Sequence, residues 1–569
     1  MSKNFNSWPA GWPKTLNYPE LPVYAFLDQT AARVPDRIAI IFAGMELTYG
    51  ELKLLTDRFQ AALQSLGVQK GERVAVHLPN CPQFAIAYYG LLKAGAVFTP
   101  VSPLLSADEI SKQLKDSGAE TLITLDLLHP GIVDVISNLG LKRVITTSLA
   151  DCYNAVIAPL KLLGKQEVPG TLDMAALLKE HPPAAAAVPV DVKNDLAHIA
   201  YTGGTTGISK GVMLTHGIIV ANVCQFACWM GGSDIEMVDG VLKFIYPEGV
   251  DPDRDRVLSM DRETALVVVP WFHSMGTIAY LNGNVVSGNT MVVYPRFDPQ
   301  EYIGGVTKYK ATVLGGAPQL YIPIVNLTNF DSYDLSGIRV AGSGAAPLPV
   351  TILDRMLGAI SGVVCEAYGL SECTLAATMN PPFRDGIRIG SVGIPLFDTD
   401  VKIVDVDTGE ELSPGSEGEI CIRGPQVMLG YWQKPEETSN VLKDNWLFTG
   451  DIGREDDGGY FYITDRKKDM IIYKGYNVYP RDIEEVINSH PAVKQCAVVG
   501  KPDPLGGEVP VAFVELKEKT AATQEGIMEY ANAKMAYYKK VREVIFLDAL
   551  PVSGVGKILK RELRSLLEN

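Results

Sequence analysis

Between Ala39 and about Ala150, strand-like runs such as RVAVHLP and TLITL alternate with helical stretches such as LTYGELKLLTDRFQAALQSLG. Side chains repeat every two residues along a strand and every 3.6 along a helix, so this order of periods specifies a sheet whose strands are joined by crossover helices. The runs ALVVVP, TMVVYP and ATVLGG continue the α/β pattern, and VKIVDVDTGEELSPGSEGEICIRG reads as two strands around a turn, the mark of a smaller β-rich part. HPPAAAAVPV, from His181 to Val190, has no usable periodicity and reads as a linker. After Asp465 the composition becomes more charged. RDIEEVINSHP places Ile483, Val486 and Ile487 on one helical face ahead of the strand-like CAVVG and VAFVEL, which predicts a compact C-terminal domain of about 100 residues.

At 569 residues the chain is too long for one ordinary domain, and about 150 residues per domain gives roughly four structural units. With 47% hydrophobic and 21% charged residues it has the balance of a globular protein, which excludes general disorder. Lys and Arg number 51 against 66 Asp and Glu, a net charge of −15 that would repel nucleic acid. Any nucleotide must therefore be held by local donors. The N-terminal segment has no apolar core of signal-peptide length, and the longest uncharged run, Gly217 to Asp234, is broken by Asn222 and Gln225. The expectation is a cytoplasmic protein without a membrane span. The eight cysteines show no paired CxxC spacing. Cys224 and Cys228, four apart, suit one helix face as two buried small hydrophobes rather than metal ligands.

YTGGTTGISKG, Tyr201 to Gly211, packs four glycines, three threonines and a lysine into eleven positions. Glycines let backbone N–H groups approach phosphate oxygens, hydroxyls add donors and Lys210 brings positive charge. It is not the common P-loop, because Lys210 lacks the preceding Gly and following Ser or Thr. The alternative, a flexible surface turn, seldom needs threonines beside glycines and a lysine. EAYGLSE, Glu366 to Glu372, offers Tyr368 to stack on a base, Ser371 to reach a phosphate and Glu372 to hold Mg²⁺. FTGD supplies Asp451, suited to ribose hydroxyls, although such a residue is by itself more often a cap or turn. DRKKD (465–469) alone would read as a solvated charge run, and SGVGK (553–557) as a helix start with a surface lysine.

In this order and at these separations, the five segments resemble the superfamily of adenylate-forming enzymes: acyl-CoA synthetases, firefly luciferases and the adenylation domains of nonribosomal peptide synthetases. The resemblance runs from about Leu21 to Leu567, and is strongest to bacterial long-chain fatty acid:CoA ligases. Gly203 stands where the superfamily more often has serine, a variant typical of the fatty-acid ligases; GPQVMLGYWQKP, TDRKKDMI and LPVSGVGKILKREL also look like that subgroup. The resemblance implies an α/β fold with a large N-terminal domain over 1–465, made of αβ-layered subdomains plus the β-rich part, and a small mobile α+β C-terminal domain over 466–569.

By the same resemblance the substrates would be ATP, coenzyme A and a carboxylic acid, with Mg²⁺ as cofactor. Thr202, Gly203, Gly204, Thr205, Thr206, Gly207 and Lys210 would wrap the β- and γ-phosphates, with Glu372 and Thr205 arranging the metal. Gly344, Ala345, Tyr368, Gly369 and Ser371 would line the nucleotide pocket, Asp451 would accept the ribose hydroxyls with help from Arg466, and His273 would stand beside the acyl pocket. Lys557 would bridge the substrate carboxylate and the α-phosphate. Lys468 matches a hinge about which the C-terminal domain swings between half-reactions, bringing Lys474 and Gly475 to the pantetheine channel.

The stretch 233–263 is longer than the family expects there, and reads as a surface insertion, a cover for the tunnel mouth or a dimer contact. Thr277 stands where some fatty acyl ligases carry a gating tryptophan. Gly315, Gly316 and Ala317 would leave room for a long or bulky tail, or equally permit tight strand packing. Three competing readings stay open: an aryl or medium-chain acyl CoA ligase, a silent nucleotide- or acyl-binding protein, and a module that loads a separate carrier. The sequence is compatible with peripheral membrane contact and with a homodimer.

Overall fold

The computed structural model describes residues 7–151, 164–183, 187–201, 209–251, 256–346, 348–466, 469–473, 476–503, 507–518, 522–552 and 558–568. They divide into two compact units, the first holding the described residues up to 201, 209–400 and 423–447, the second 401–422 and the described residues from 448 onward.

The first unit is built on two mixed sheets. One has nine strands in the order Ile394–Pro395, Thr378–Met379, Val363–Tyr368, Val340–Ser343, Val313–Gly316, Thr264–Val267, Thr290–Val293, Ile38–Phe42, Met45–Thr48. Its six central strands are parallel and its edges antiparallel. The other has eight, in the order Gly430–Tyr431, Gly211–Thr215, Leu196–Tyr201, Val97–Pro100, Arg73–His77, Thr121–Leu125, Arg143–Thr147, Leu172–Asp173. It is parallel except at the first two. Parallel strands covered on both faces read as near-continuous apolar runs, and Thr121–Leu125 and Thr290–Val293 are buried at every position.

Helices fill the space between the sheets. Tyr49–Ser65 begins at a capping box in which Thr48 and Glu51 satisfy each other's backbone N–H groups. It rests on the edge of the nine-stranded sheet and against Pro82–Lys93, which lies on the eight-stranded sheet and is buried throughout. His216–Gly231 and the π-helix Gly276–Gly283 form a second such pair. Cys224 and Cys228 sit on the first of these, both free and buried, their thiols pushed well up by desolvation. Residues 234–245 form a hairpin, Asp234–Val238 with Val241–Ile245, turned by Asp239 and Gly240 at φ +53° and +77°. It folds back onto the start of the chain: Asn17 bonds Asp234 and Glu236, and Arg33 Nη1 donates to the Leu242 carbonyl at 3.3 Å, while Arg33 also grips Asp261, beyond the hairpin, through Nε at 2.8 Å and Nη2 at 2.9 Å.

In the second unit, strands 401–404, 418–422, 448–455 and Phe461–Arg466 form one antiparallel-rich sheet. A five-stranded sheet follows, with Gly507–Leu516 paired to Val493–Asp503, Ile471–Tyr473 and Glu543–Phe546. The helix Pro480–Asn488 packs Ile483 and Ile487 into its core with Val486 half-buried, as the periodicity predicts. No helix among the described residues is long and apolar enough to cross a membrane.

Candidate active site

The phosphate-type loop is the connection of an antiparallel pair: Tyr201, the last residue of one strand, registers with Gly211, the first of the next. Both ends are anchored. The Tyr201 hydroxyl donates to Asp116 Oδ2 at 2.6 Å, and burial, then the Asp116 charge, keeps that phenol protonated. Gly211 has no room for a side chain, since a Cβ would lie 2.6 Å from Ile199 Cγ2. Thr202, Gly203, Gly204, Thr205, Thr206 and Gly207 lie outside the described residues.

Lys210 is described, and its surroundings join three distant motifs. Gly430 and Tyr431, from GPQVMLGYWQKP, pair with Met213 and Val212 on the strand that follows Lys210. The Lys210 ammonium consequently lies 4.8 Å over the Tyr431 ring and pairs with Glu437. The Tyr431 hydroxyl in turn donates to Glu372 Oε1 at 2.7 Å. Desolvation, reinforced by Glu372 and Glu437, raises the Tyr431 pKa and keeps it a donor. A part-exposed carboxylate joined through Tyr431 to the Lys210 ammonium suits Mg²⁺, which takes one or two carboxylates and keeps phosphates and waters as its other ligands.

Glu372 follows the C-terminal end of the parallel strand Val363–Tyr368, where open α/β sheets present their ligand crevices. Gly369 makes the turn between them: a Cβ there would lie 2.7 Å from Ala376 Cα and closer still to the Leu375 carbonyl oxygen. The neighbouring strand ends at Ser343, and Gly344 and Ala345 follow, the latter at φ +67°, a conformation that a residue with a Cβ rarely adopts. Glu366, itself buried, accepts the backbone N–H of Leu348 at 3.1 Å and ties this loop to the EAYGLSE segment. Ser274 Oγ donates to Ser371 Oγ at 3.3 Å, and Met275 Cε lies 3.5 Å from where a Gly344 Cβ would stand. The turn carrying His273 is thus placed against both loops. Asn80, buried and distant in sequence, pins it by accepting from Trp271 N at 2.7 Å and donating to the Val269 carbonyl at 3.0 Å.

The structure therefore gathers Lys210, His273, Gly344, Ala345, Tyr368, Gly369, Ser371 and Glu372 in one unit. Sequence reasoning missed Asp116, Asn80 and the hydroxyl of Tyr431. Of these only Tyr431 lay in a motif already singled out; a lone Asp or Asn carries no local signal of its partner.

Gly315 and Gly316 of VLGGAPQ are closely packed. Successive strand residues face opposite sides of the sheet. A Gly315 Cβ would lie 2.6 Å from Tyr280 Oη and closer still to the ring, while a Gly316 Cβ would meet Leu320 Cδ1 at 2.9 Å on the opposite face.

In the second unit, Asp451 and Arg466 register across an antiparallel pair, Nε to Oδ1 at 2.7 Å, with Asp451 buried and Arg466 exposed. Gly450 precedes Asp451 at φ +70° and donates its N–H to Glu419 at 3.0 Å. Lys468, Lys474, Gly475 and Lys557 lie outside the described residues.

Residues 27–432 match the AMP-binding enzyme family and residues 482–557 the AMP-binding enzyme C-terminal domain. The chain is 39% identical over 569 residues to a long-chain-fatty-acid–CoA ligase of Bacillus subtilis, covering 98% of this chain and 96% of that one. To the protein of the same description from Escherichia coli O157:H7 it is 34% identical over 573 residues, covering 98% and 97%. Among solved structures, ATP-bound MatB from Rhodopseudomonas palustris superposes with a TM-score of 0.81 at 26% identity, over 96% of this chain and 99% of that one. With both domain matches in chain order and Lys210, Glu372 and the Gly344–Ala345 turn assembled in one unit, this chain belongs to the AMP-binding enzyme family.

Proposed function

We propose that the protein is an ATP-dependent fatty acid:CoA ligase. A carboxylate oxygen attacks the α-phosphorus of ATP and pyrophosphate leaves; the coenzyme A thiolate then attacks the acyl carbonyl of the adenylate and AMP leaves. The observation that carries this reading is the Lys210–Tyr431–Glu372 chain beside Gly344, Ala345 and Tyr368 at the ends of parallel strands. Near full-length similarity to long-chain-fatty-acid–CoA ligases supports it.

Each half-reaction brings anions together, so local cations and donors must offset the charge. Thr202 to Gly207 and Lys210 would hold the β- and γ-phosphates. Glu372, with Thr205, would hold Mg²⁺, which when bound neutralises phosphate charge. Gly344, Ala345, Tyr368, Gly369 and Ser371 would line the base and α-phosphate side, Asp451 with Arg466 the ribose, and His273 the acid. Lys557 would bridge carboxylate and α-phosphate in the first step. A boundary at 465/466 with a hinge at Lys468 would then exchange Lys557 for Lys474 and Gly475. Seven free, buried cysteines among the described residues and the net charge of −15 support a cytoplasmic setting and no nucleic-acid partner. A medium-chain or aryl acid is the second reading, favoured by the Tyr280 ring filling the space over Gly315.

Pyrophosphate release from ATP, followed with acetate, octanoate, palmitate and benzoate with and without CoA, tests the proposal. Release that a fatty acid triggers and CoA accelerates, with acyl-CoA as product, is expected. No acid-dependent release from protein that binds ATP would overturn it.

A further inference from the structure

We infer that Tyr280 is a specificity-determining residue, the wall that sets how long an acyl tail the site takes; the inference rests on the preceding reading that the site activates a fatty acid. Gly315, Gly342 and Cys365 occupy one row across three parallel strands. The Tyr280 ring lies on that row. A Cβ on Gly315 would lie 2.6 Å from its hydroxyl oxygen, and one on Gly342 would lie 2.9 Å from the same atom. The ring is buried, with its hydroxyl toward the Gly316 backbone. Two glycines in register on adjacent strands thus form a slot that a side chain on either would close, and Tyr280 occupies it.

The slot adjoins the nucleotide-side loops. Gly344 is two residues beyond Gly342 and Ala367 two beyond Cys365, a distance of about 7 Å along the strands. An acid whose carboxylate stood beside Gly344, with its tail running down this face of the sheet, would meet the Tyr280 ring. What aims the ring is the π-helix Gly276–Gly283, a rare geometry that concentrates at functional sites. Its wider turn is held by buried side chains. Asn282 Nδ2 donates to the Thr277 carbonyl at 2.8 Å and to the Tyr88 hydroxyl at 3.0 Å, the Tyr89 hydroxyl donates to Asn282 Oδ1 at 3.0 Å, and Asn284 Nδ2 donates to the Tyr280 carbonyl at 2.9 Å.

The test compares kcat/KM for palmitate and octanoate in the full-length wild type, Tyr280→Ala and Tyr280→Leu, with thermal melting as a check on folding. A methylene accommodated or excluded changes discrimination by about tenfold or more. Tyr280→Ala should therefore raise the palmitate-to-octanoate ratio at least about tenfold, with Tyr280→Leu moving it less in the same direction; should the alanine variant not fold, the leucine variant decides. A ratio within about twofold of wild type in the folded variants, with the wild type active, overturns the assignment of Tyr280 alone. A wild type that binds ATP yet activates neither acid overturns the ligase reading and this assignment with it.

Discussion

The hydroxyl of Tyr431 donates a 2.7 Å hydrogen bond to Oε1 of Glu372, joining residues 59 positions apart. The same ring carries the Lys210 ammonium on its face. One aromatic side chain therefore orients a carboxylate with its edge and a cation with its π-face, and stays a donor because burial and two nearby carboxylates keep it protonated.

Tyr431→Phe removes the donor and leaves the ring. If Glu372 holds Mg²⁺, losing the partner that orients it should cost about 10- to 100-fold in metal affinity or activity. The Mg²⁺ concentration for half-maximal pyrophosphate release should rise by about tenfold. Unchanged Mg²⁺ dependence would restrict the bond to a structural role.

Gly369→Ala places a Cβ against the backbone of Leu375 and Ala376, which cannot yield as a flexible side chain would. The expected loss is about 3 kcal/mol. Gly358→Ala, in the helix Val350–Ala359 with no heavy atom within 4 Å of the new methyl, should instead stabilise by about 0.5 kcal/mol. Thermal melting of the two variants separates backbone crowding from a general sensitivity to glycine replacement.

His77, His198 and His216 are buried, and desolvation lowers their pKa values to about 4, about 3 and about 4. Folded values below the unfolded one of about 6.5 mean that this stability is present above pH 6.5 and lost as pH falls, because only the unfolded chain then takes up protons. Between pH 7 and 5.5 each histidine should remove about 1 kcal/mol. Unfolding at pH 5.5 should bind nearly three protons in the calorimeter, and stability that stays flat across this window would show that these sites are not held neutral.

Lys557→Ala and Gly475→Leu should fail at different steps. Single-turnover measurements should show the first deficient in adenylate formation and the second deficient in passing a preformed acyl adenylate to CoA. Equal losses in both half-reactions for both variants would rule out the assignment of one face to each step.

Much of the fold was legible without coordinates. The helix Tyr49–Ser65, the apolar strands of the parallel sheets and the Ile483–Ile487 face of the last domain are each set by residues close together in the chain. The glycine-threonine motif stands out in the sequence for a similar reason, because the chemistry expected of it depends on residue types at close spacing. The tertiary structure decided the rest. Tyr201 meets Asp116 85 positions away, and Trp432 meets the same Asp116 across 316. Such pairs follow from strand order and register, which no local period encodes. Gly315 shows the division most clearly. Its small size allowed two readings in the sequence, an open acyl pocket or a packed strand, and the choice fell to the wider turn of a π-helix that sets the Tyr280 ring on it.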